Sequence, residues 1–393
     1  MEWVFWVSII AILYSYALYP LLLMCCSAVL QLWCDNRFVW SAQPRRVVAV
    51  HDDNLLPDIT VVIAAYNEQS CIAARVENIL AQNYPADKLR LIVGSDGSQD
   101  DTAKILAAIT DPRLTACLFT QNRGKVSVLN DLMAQVSSNI TVLTDANTVF
   151  EPDTIRNLAR HFSDDNVGAV CGELQLVDAQ SGNNRDGVYW RYERVLKFHE
   201  ARFDALLGAN GANYAIRTEL YQPLATNTII DDFHIAMNIA RRGFKVKYDP
   251  EAIAIEDSAP TIGAEMGRRI RIGLGNYQAC FQMGWLMNPF NGWRFFSFIS
   301  HKLLRWFVPH LMILTLVSNL FLLQDSRYIA LFVLQIVFYC LAIYGYAQHI
   351  KGRRLSTIMS LMVFFTSMNY ALLVGFVRYF TTNIQGSWQR TER

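Results

Sequence analysis

The chain has 393 residues, 52% of them hydrophobic, and a formal net charge of +1. A balance this close to neutral gives no argument for nucleic acid as the main partner, and none is expected. The length suits roughly two or three domains, and the apolar residues are unevenly spread among them.

The first apolar stretch runs from Trp3 to about Trp33. A membrane-spanning helix needs about 20 residues at about 1.5 Å each. This stretch exceeds a signal peptide in length, has no basic residue before it and lacks a small-residue cleavage site, so a retained membrane helix is expected. A segment of ordinary soluble composition follows, about 35–300. Within it, "DITVVIAAYNE" (58–68) is a Val- and Ile-rich run that reads as a buried parallel strand. "CIAARVENILAQNYP" reads as a helix closed by Pro85, and "LRLIVGSDGSQDDT" as a second strand breaking at Gly94–Gly97. The next helix is expected to start near Asp100 or Asp101, both good amino-terminal caps. A helix over "KVSVLNDLMAQV" and a strand over "ITVLTDAN" complete the alternation. Strands alternating with helices imply βαβ units and a doubly wound sheet, with a ligand crevice at the carboxyl ends of its strands. Three more apolar stretches close the chain, at about Leu303–Leu323, Tyr328–Gln348 and Leu355–Phe380.

Lysine and arginine near the apolar stretches set an orientation. Arg37, Arg45 and Arg46 follow the first; Lys302 and Arg305 precede the second; Lys351, Arg353 and Arg354 lie between the third and fourth. The middle segment is therefore expected in the cytoplasm and the amino terminus outside, with the chain integral to the cell (inner or plasma) membrane. Counting spans puts the tail "WQRTER" outside despite its two arginines, so either "MNYALLVGFVRYF" bends back before crossing or the charge rule fails there. The eight cysteines show no CxxC pair and no zinc spacing, so they read as reduced packing residues.

Three strands end in polar groups: Asn67 and Glu68, then Asp96, then Asp145 and Asn147. One such end is an ordinary turn, whereas three converge on the sheet edge where ligands bind. A carboxylate such as Asp145 at a strand end suits a cation, or it caps a turn together with Asn147. Neither GxGxxG nor GxxxxGK[ST] occurs, so a Rossmann dinucleotide site and a P-loop are unsupported.

With "VVIAAYNE", "GSDGSQDDT" and "LTDANTVF" in this order, followed by "GANGANYAIRTEL", "TIIDDFHIAMNIARRGFKVKYDP" and "RRIRIGLGN", the chain resembles the family-2 inverting membrane glycosyltransferases. Among these it looks most like processive polysaccharide synthases such as hyaluronan and cellulose synthases. The resemblance implies an α/β fold, a GT-A-type doubly wound mixed sheet domain inserted between transmembrane helices. The parts would be a helix at 1–34, the transferase domain at 35–284, an interfacial region at 285–302, membrane helices at 303–380 and a tail at 381–393 that could gate the site.

The same resemblance distributes roles. Asp145, with Asn147 as a neutral and therefore weaker ligand, would hold Mg²⁺ or Mn²⁺. Asn67, Glu68, Asp96 and Lys125 would bind the nucleotide of a UDP-sugar, although Lys125 also reads as a solvated loop lysine. Arg271 and Arg269 would neutralise the diphosphate, where arginine forks suit phosphate oxygens; Arg268 reads equally as membrane-surface charge. Asp232 aligns with the catalytic base and Asp231 with its helper, two adjacent carboxylates that also suit a helix start. Gly208, Asn210 and Gly211 would line the acceptor site. Ile272 stands where the family has a tryptophan that stacks on the acceptor sugar, which puts processivity in question; Tyr189, Trp190 and Tyr192 offer a substitute platform or interface anchors. Trp388 would lie over the nucleotide, and "HKLLRW" (301–306) reads as an interfacial anchor. The acceptor implied is a polysaccharide, with a lipid-linked acceptor (sphingolipid or polyprenyl-phosphate) as the alternative. A non-catalytic nucleotide-sugar-binding or channel subunit is the reading from another class.

Overall fold

A computed structural model describes residues 1–41, 53–177, 188–257, 262–353 and 355–382. They form two compact units. One lies within Leu23–Ser258; the other joins Met1–Leu22 to the described residues of Ala259–Asn383.

The first unit is built on a mixed sheet of eight strands: β1 Ile59–Ala65, β2 Leu89–Asp96, β3 Leu114–Phe119, β4 Ile140–Asp145, β5 Val149–Phe150, β6 Val167–Val177, β7 Tyr214–Arg217 and β8 Lys245–Asp257. Their order is β3-β2-β1-β4-β7-β6-β8-β5. The first four strands in this order are mutually parallel, and β7 is antiparallel to both β4 and β6. Every residue of β1 is buried, as a Val/Ile run covered on both faces requires. The helix Ile72–Leu80 buries Ile72, Arg75, Val76 and Ile79, one stripe at helical spacing. β3 was not anticipated in the sequence, and its residues are half-buried or exposed, as suits the edge of a sheet.

Strand β5 follows β4 after only Ala146–Thr148, yet it pairs with β8 at the opposite end of the order. Four residue steps reach roughly 14 Å at most. Four strand spacings in a flat sheet span roughly 19 Å. This half of the sheet must therefore curl enough to bring the start of its last strand within that reach of the end of β4.

The second unit carries helices long and apolar enough to cross a membrane: Trp293–Leu320, Ser326–Ile350 and Thr357–Thr381, with the start of Glu2–Ser41. The bend expected in "MNYALLVGFVRYF" is absent, because Thr357–Thr381 is one unbroken helix of roughly 37 Å. "HKLLRW" lies inside the helical run Trp293–Leu320, where His301 and Arg305 are buried and the Arg305 guanidinium sits 5.2 Å from the Tyr16 ring centre.

Candidate active site

The polar strand ends of the first unit are tied together by local chemistry. Asn67 adopts a positive φ of 56°, which asparagine tolerates better than most residues. Its backbone N–H donates to Ser98 Oγ at 3.1 Å, and its side-chain oxygen accepts from Gln99 N–H at 2.8 Å. Glu68 N–H donates to Thr102 Oγ1 at 2.8 Å, and the Cys71 thiol lies 3.3 Å from Glu68 Oε2. The loops after β1 and β2 thus form one laced rim. Asp96 is fully buried, and its two oxygens accept the N–H groups of Arg123 and Gly124 at 2.9 and 2.8 Å. Here its carboxylate anchors the loop that delivers Lys125.

Lys125 opens the helix Lys125–Met133. Its Nζ lies 2.8 Å from Asp145 Oδ1 at the end of β4 and 3.5 Å from Asp231 Oδ2. Burial alone would lower the lysine's pKa; Asp145 and Asp231 outweigh it, so the pKa is raised and the ammonium stays charged. Asp231 and Asp232 begin the helix Asp231–Arg241, where the helix dipole favours negative charge. Asp232 Oδ1 accepts the N–H of Phe233 at 2.8 Å. Burial, and next the neighbouring Asp231, raise the Asp232 carboxyl to about 6, against the opposing pull of Lys125. A carboxylate held there is a better proton acceptor than an ordinary aspartate.

The segment 208–213 packs against Asp232 and Phe233 at the start of this helix. Gly208 has φ +90°, and a Cβ there would meet the Phe233 ring at 2.7 Å. A Cβ at Gly211 would lie 3.3 Å from Asp232 Oδ2. With no Cβ, Gly211 leaves the approach to Asp232 Oδ2 open, and Asp232 is half-buried. Asn210 turns the segment, its carbonyl accepting Asn213 N–H at 2.8 Å.

Sequence reasoning passed over two further residues. Arg75 is almost wholly buried beneath the end of β4. Its Nη2 donates to Thr144 Oγ1 at 2.6 Å, which donates in turn to the Ala212 carbonyl at 2.6 Å. Burial pushes the guanidinium down to about 9, opposed by Asp145 and Cys71. An arginine in the apolar stripe of a helix was the available signal. The second is Glu256 on β8, buried, whose Oε1 accepts from Asn147 Nδ2 at 3.1 Å.

Among the described residues, no three His, Cys, Asp or Glu side chains gather as a metal cluster. Asp145 and Asn147 still supply hard oxygen donors, the type that suits Mg²⁺ or Mn²⁺ with few protein ligands and the rest from substrate phosphates.

The other sequence candidates stand on other helices. Tyr189, Trp190 and Tyr192 are half-buried on the helix Val188–Arg202, with Tyr189 6.1 Å from Trp190 and 6.4 Å from Tyr192 between ring centres. Arg269 and Arg271 belong to the second unit, on the helix Ile262–Gln282. Arg269 pairs with Glu265 at 2.7 Å and lies 4.9 Å from the Phe364 ring centre, whereas Arg271 and Ile272 are exposed. Trp388, Arg45, Arg46 and Arg354 lie outside the described residues.

Residues 57–274 match the model of the family described as glycosyltransferase like family 2. The chain belongs to that family. The glycosyltransferase is 26% identical over 230 residues to a poly-beta-1,6-N-acetyl-D-glucosamine synthase of Staphylococcus aureus, covering 57% of this chain and 55% of that protein. It is 25% identical over 238 residues to an N-acetylglucosaminyltransferase of Rhizobium leguminosarum bv. viciae, covering 56% of each. The chain thus spans about half the length of the curated relatives it matches. Among solved structures, the mannosyltransferase PcManGT of Pyrobaculum calidifontis, in complex with GDP-Man and Mn²⁺, superposes with a TM-score of 0.65 at 22% identity. The superposition covers 92% of this chain and 97% of that one, and it shows a shared GT-A-like fold.

Proposed function

We propose that this glycosyltransferase is membrane-integrated and inverting, and moves a sugar from a UDP-sugar to a growing polysaccharide. The observation that carries the reading is the Asp232 carboxylate, raised towards neutrality and approachable across Gly211, beside the Lys125–Asp145 pair. An acceptor hydroxyl attacks the anomeric carbon opposite the leaving diphosphate; the carbon–oxygen bond to the diphosphate breaks as the new one forms. Asp232 takes the hydroxyl proton, and Asp231 keeps the helix start negative. Lys125 holds positive charge beside Asp145, where the diphosphate's negative charge develops. Asp145 and the Asn147 amide oxygen would hold Mg²⁺ or Mn²⁺, which would supply electrostatic stabilisation of diphosphate charge. Asn67 and Glu68 bind the nucleoside, and Asp96 shapes its loop. Gly208, Asn210 and Gly211 receive the acceptor, and Tyr189 and Trp190 its sugar rings.

The polysaccharide acceptor is supported by the synthase named among the relatives, and a membrane setting with a cytoplasmic transferase unit by the four apolar helices and the basic residues flanking them. The domain limits proposed are those read from the sequence. One observation favours single addition to a lipid acceptor instead: Ile272 cannot stack on a sugar as tryptophan does.

The test is UDP release by the purified chain from UDP-glucose, UDP-N-acetylglucosamine, UDP-galactose and UDP-glucuronate, with product length measured for the active donor. Polymer is expected. A product of one sugar on lipid would select the second reading, and no release from any donor would defeat both.

A further inference from the structure

We propose that Glu256 is a positioning residue for the cation site, supplying across the sheet the negative charge that Asn147 lacks. The inference rests on the reading of Asp145 and Asn147 as cation ligands. In the chain, the two positions after Asp145 hold alanine and then an amide, so one formal charge is present where an Asp-x-Asp pattern would have two. The fold brings another carboxylate to that amide from 109 residues away. Antiparallel pairing of β5 with β8, Val149 opposite Ile255 and Phe150 opposite Ala254, carries Glu256 up to the turn after β4. Glu256 is 4% exposed, and its Oε1 lies 3.1 Å from Asn147 Nδ2.

Two consequences follow from the chemistry of the pair. An ionised carboxylate only accepts hydrogen bonds, so it must face the NH₂ end of the amide. The carbonyl oxygen of Asn147 is then turned away from Glu256, which fixes the one end of the amide that can bind a cation. The hydrogen bond also polarises the amide, drawing electron density onto that oxygen. Partners of this kind, which orient a ligand and raise its basicity, typically change metal affinity by about 10–100-fold. Asn147 and Glu256 together carry the charge of a single aspartate, divided between the residue that binds and the residue that orients.

A merely structural Glu256 would tie β8 to the turn and leave cation affinity untouched. The experiment measures Mn²⁺ binding to the full chain in the presence of UDP, by electron paramagnetic resonance, with thermal melting in parallel. Wild type is expected to bind Mn²⁺, and Glu256→Gln to weaken it about tenfold or more. Asn147→Asp alone sets two carboxylates against each other and is expected to bring no tightening. Combining Asn147→Asp with Glu256→Gln moves the charge onto the ligand and should restore at least wild-type affinity. Unchanged affinity in Glu256→Gln, or Asn147→Asp alone binding as tightly as the double variant, would overturn this proposal while leaving the cation site in place. Absence of Mn²⁺ binding by folded wild type would overturn the cation reading and this proposal together.

Discussion

Lys125 Nζ stands 2.8 Å from Asp145 and 3.5 Å from Asp231, so one ammonium links the end of β4 to the start of the helix that carries Asp232. Lys125→Met leaves three carboxylates facing one another without it. UDP release should fall about 100-fold in kcat/KM, the scale of losing one preorganised charge-stabilising donor. Lys125→Arg keeps the charge but not the fit, and should fall in between. Steady-state kinetics on the three proteins checks this, and equal rates would remove Lys125 from the site.

Asp232→Asn should lower UDP release by about 10²–10⁴-fold, as expected for a lost general base. In wild type the base must be ionised, so kcat/KM should rise as pH passes through about 6 and then level off. Asp231→Asn removes the like charge that helps raise Asp232, and should move that rise to lower pH. The same shift acts on stability. A folded-state carboxyl above its unfolded value of about 3.9 binds its proton more tightly when folded, so this group's contribution is greatest below about pH 4 and declines as pH climbs through about 6.

Gly211→Ala should separate activity from stability. Its Cβ would sit 3.3 Å from Asp232 Oδ2, where an acceptor hydroxyl must approach. Turnover is expected to drop at least tenfold with a small change in melting temperature. Gly208→Ala, at φ +90° and 2.7 Å from the Phe233 ring, should instead cost about 1–3 kcal/mol of stability. Paired melting and UDP-release measurements would expose a reversal of the two effects.

Arg75→Met removes a buried charged donor that reaches the segment 208–213 through Thr144. Loss of a hydrogen bond from a charged group costs about 1.5–3 kcal/mol. The variant should unfold earlier in urea and show a raised KM for acceptor. Lysine at this position, with its charge but no fork, should recover only part of both.

The strands β1, β2 and β4 were legible because parallel strands buried on both faces are near-continuous Val/Ile/Leu runs. β3 was not, because at the edge of the sheet its alternation is diluted. The polar strand ends read correctly as converging on one edge, but their division of labour did not. Asp96 and Asp145 look alike in sequence, and only burial separates the one that holds a loop from the one that faces Lys125. Arg75 disappeared into an otherwise ordinary amphipathic helix. Glu256 was invisible because its partner is set by the curl of the sheet, which no local pattern encodes.

That curl gives the three residues Ala146–Thr148 a second duty. They join the two ends of that five-strand run, and they carry Asn147, the proposed cation ligand. A three-residue link tolerates shortening poorly, because four residue steps reach only roughly 14 Å. Added residues would release Asn147 from its place between the end of β4 and Glu256 while the β5–β8 pairing and the core of β1, β2 and β4 stayed intact. The chain has thus made its loop length, and not only its residue identities, a determinant of how tightly the site is drawn together.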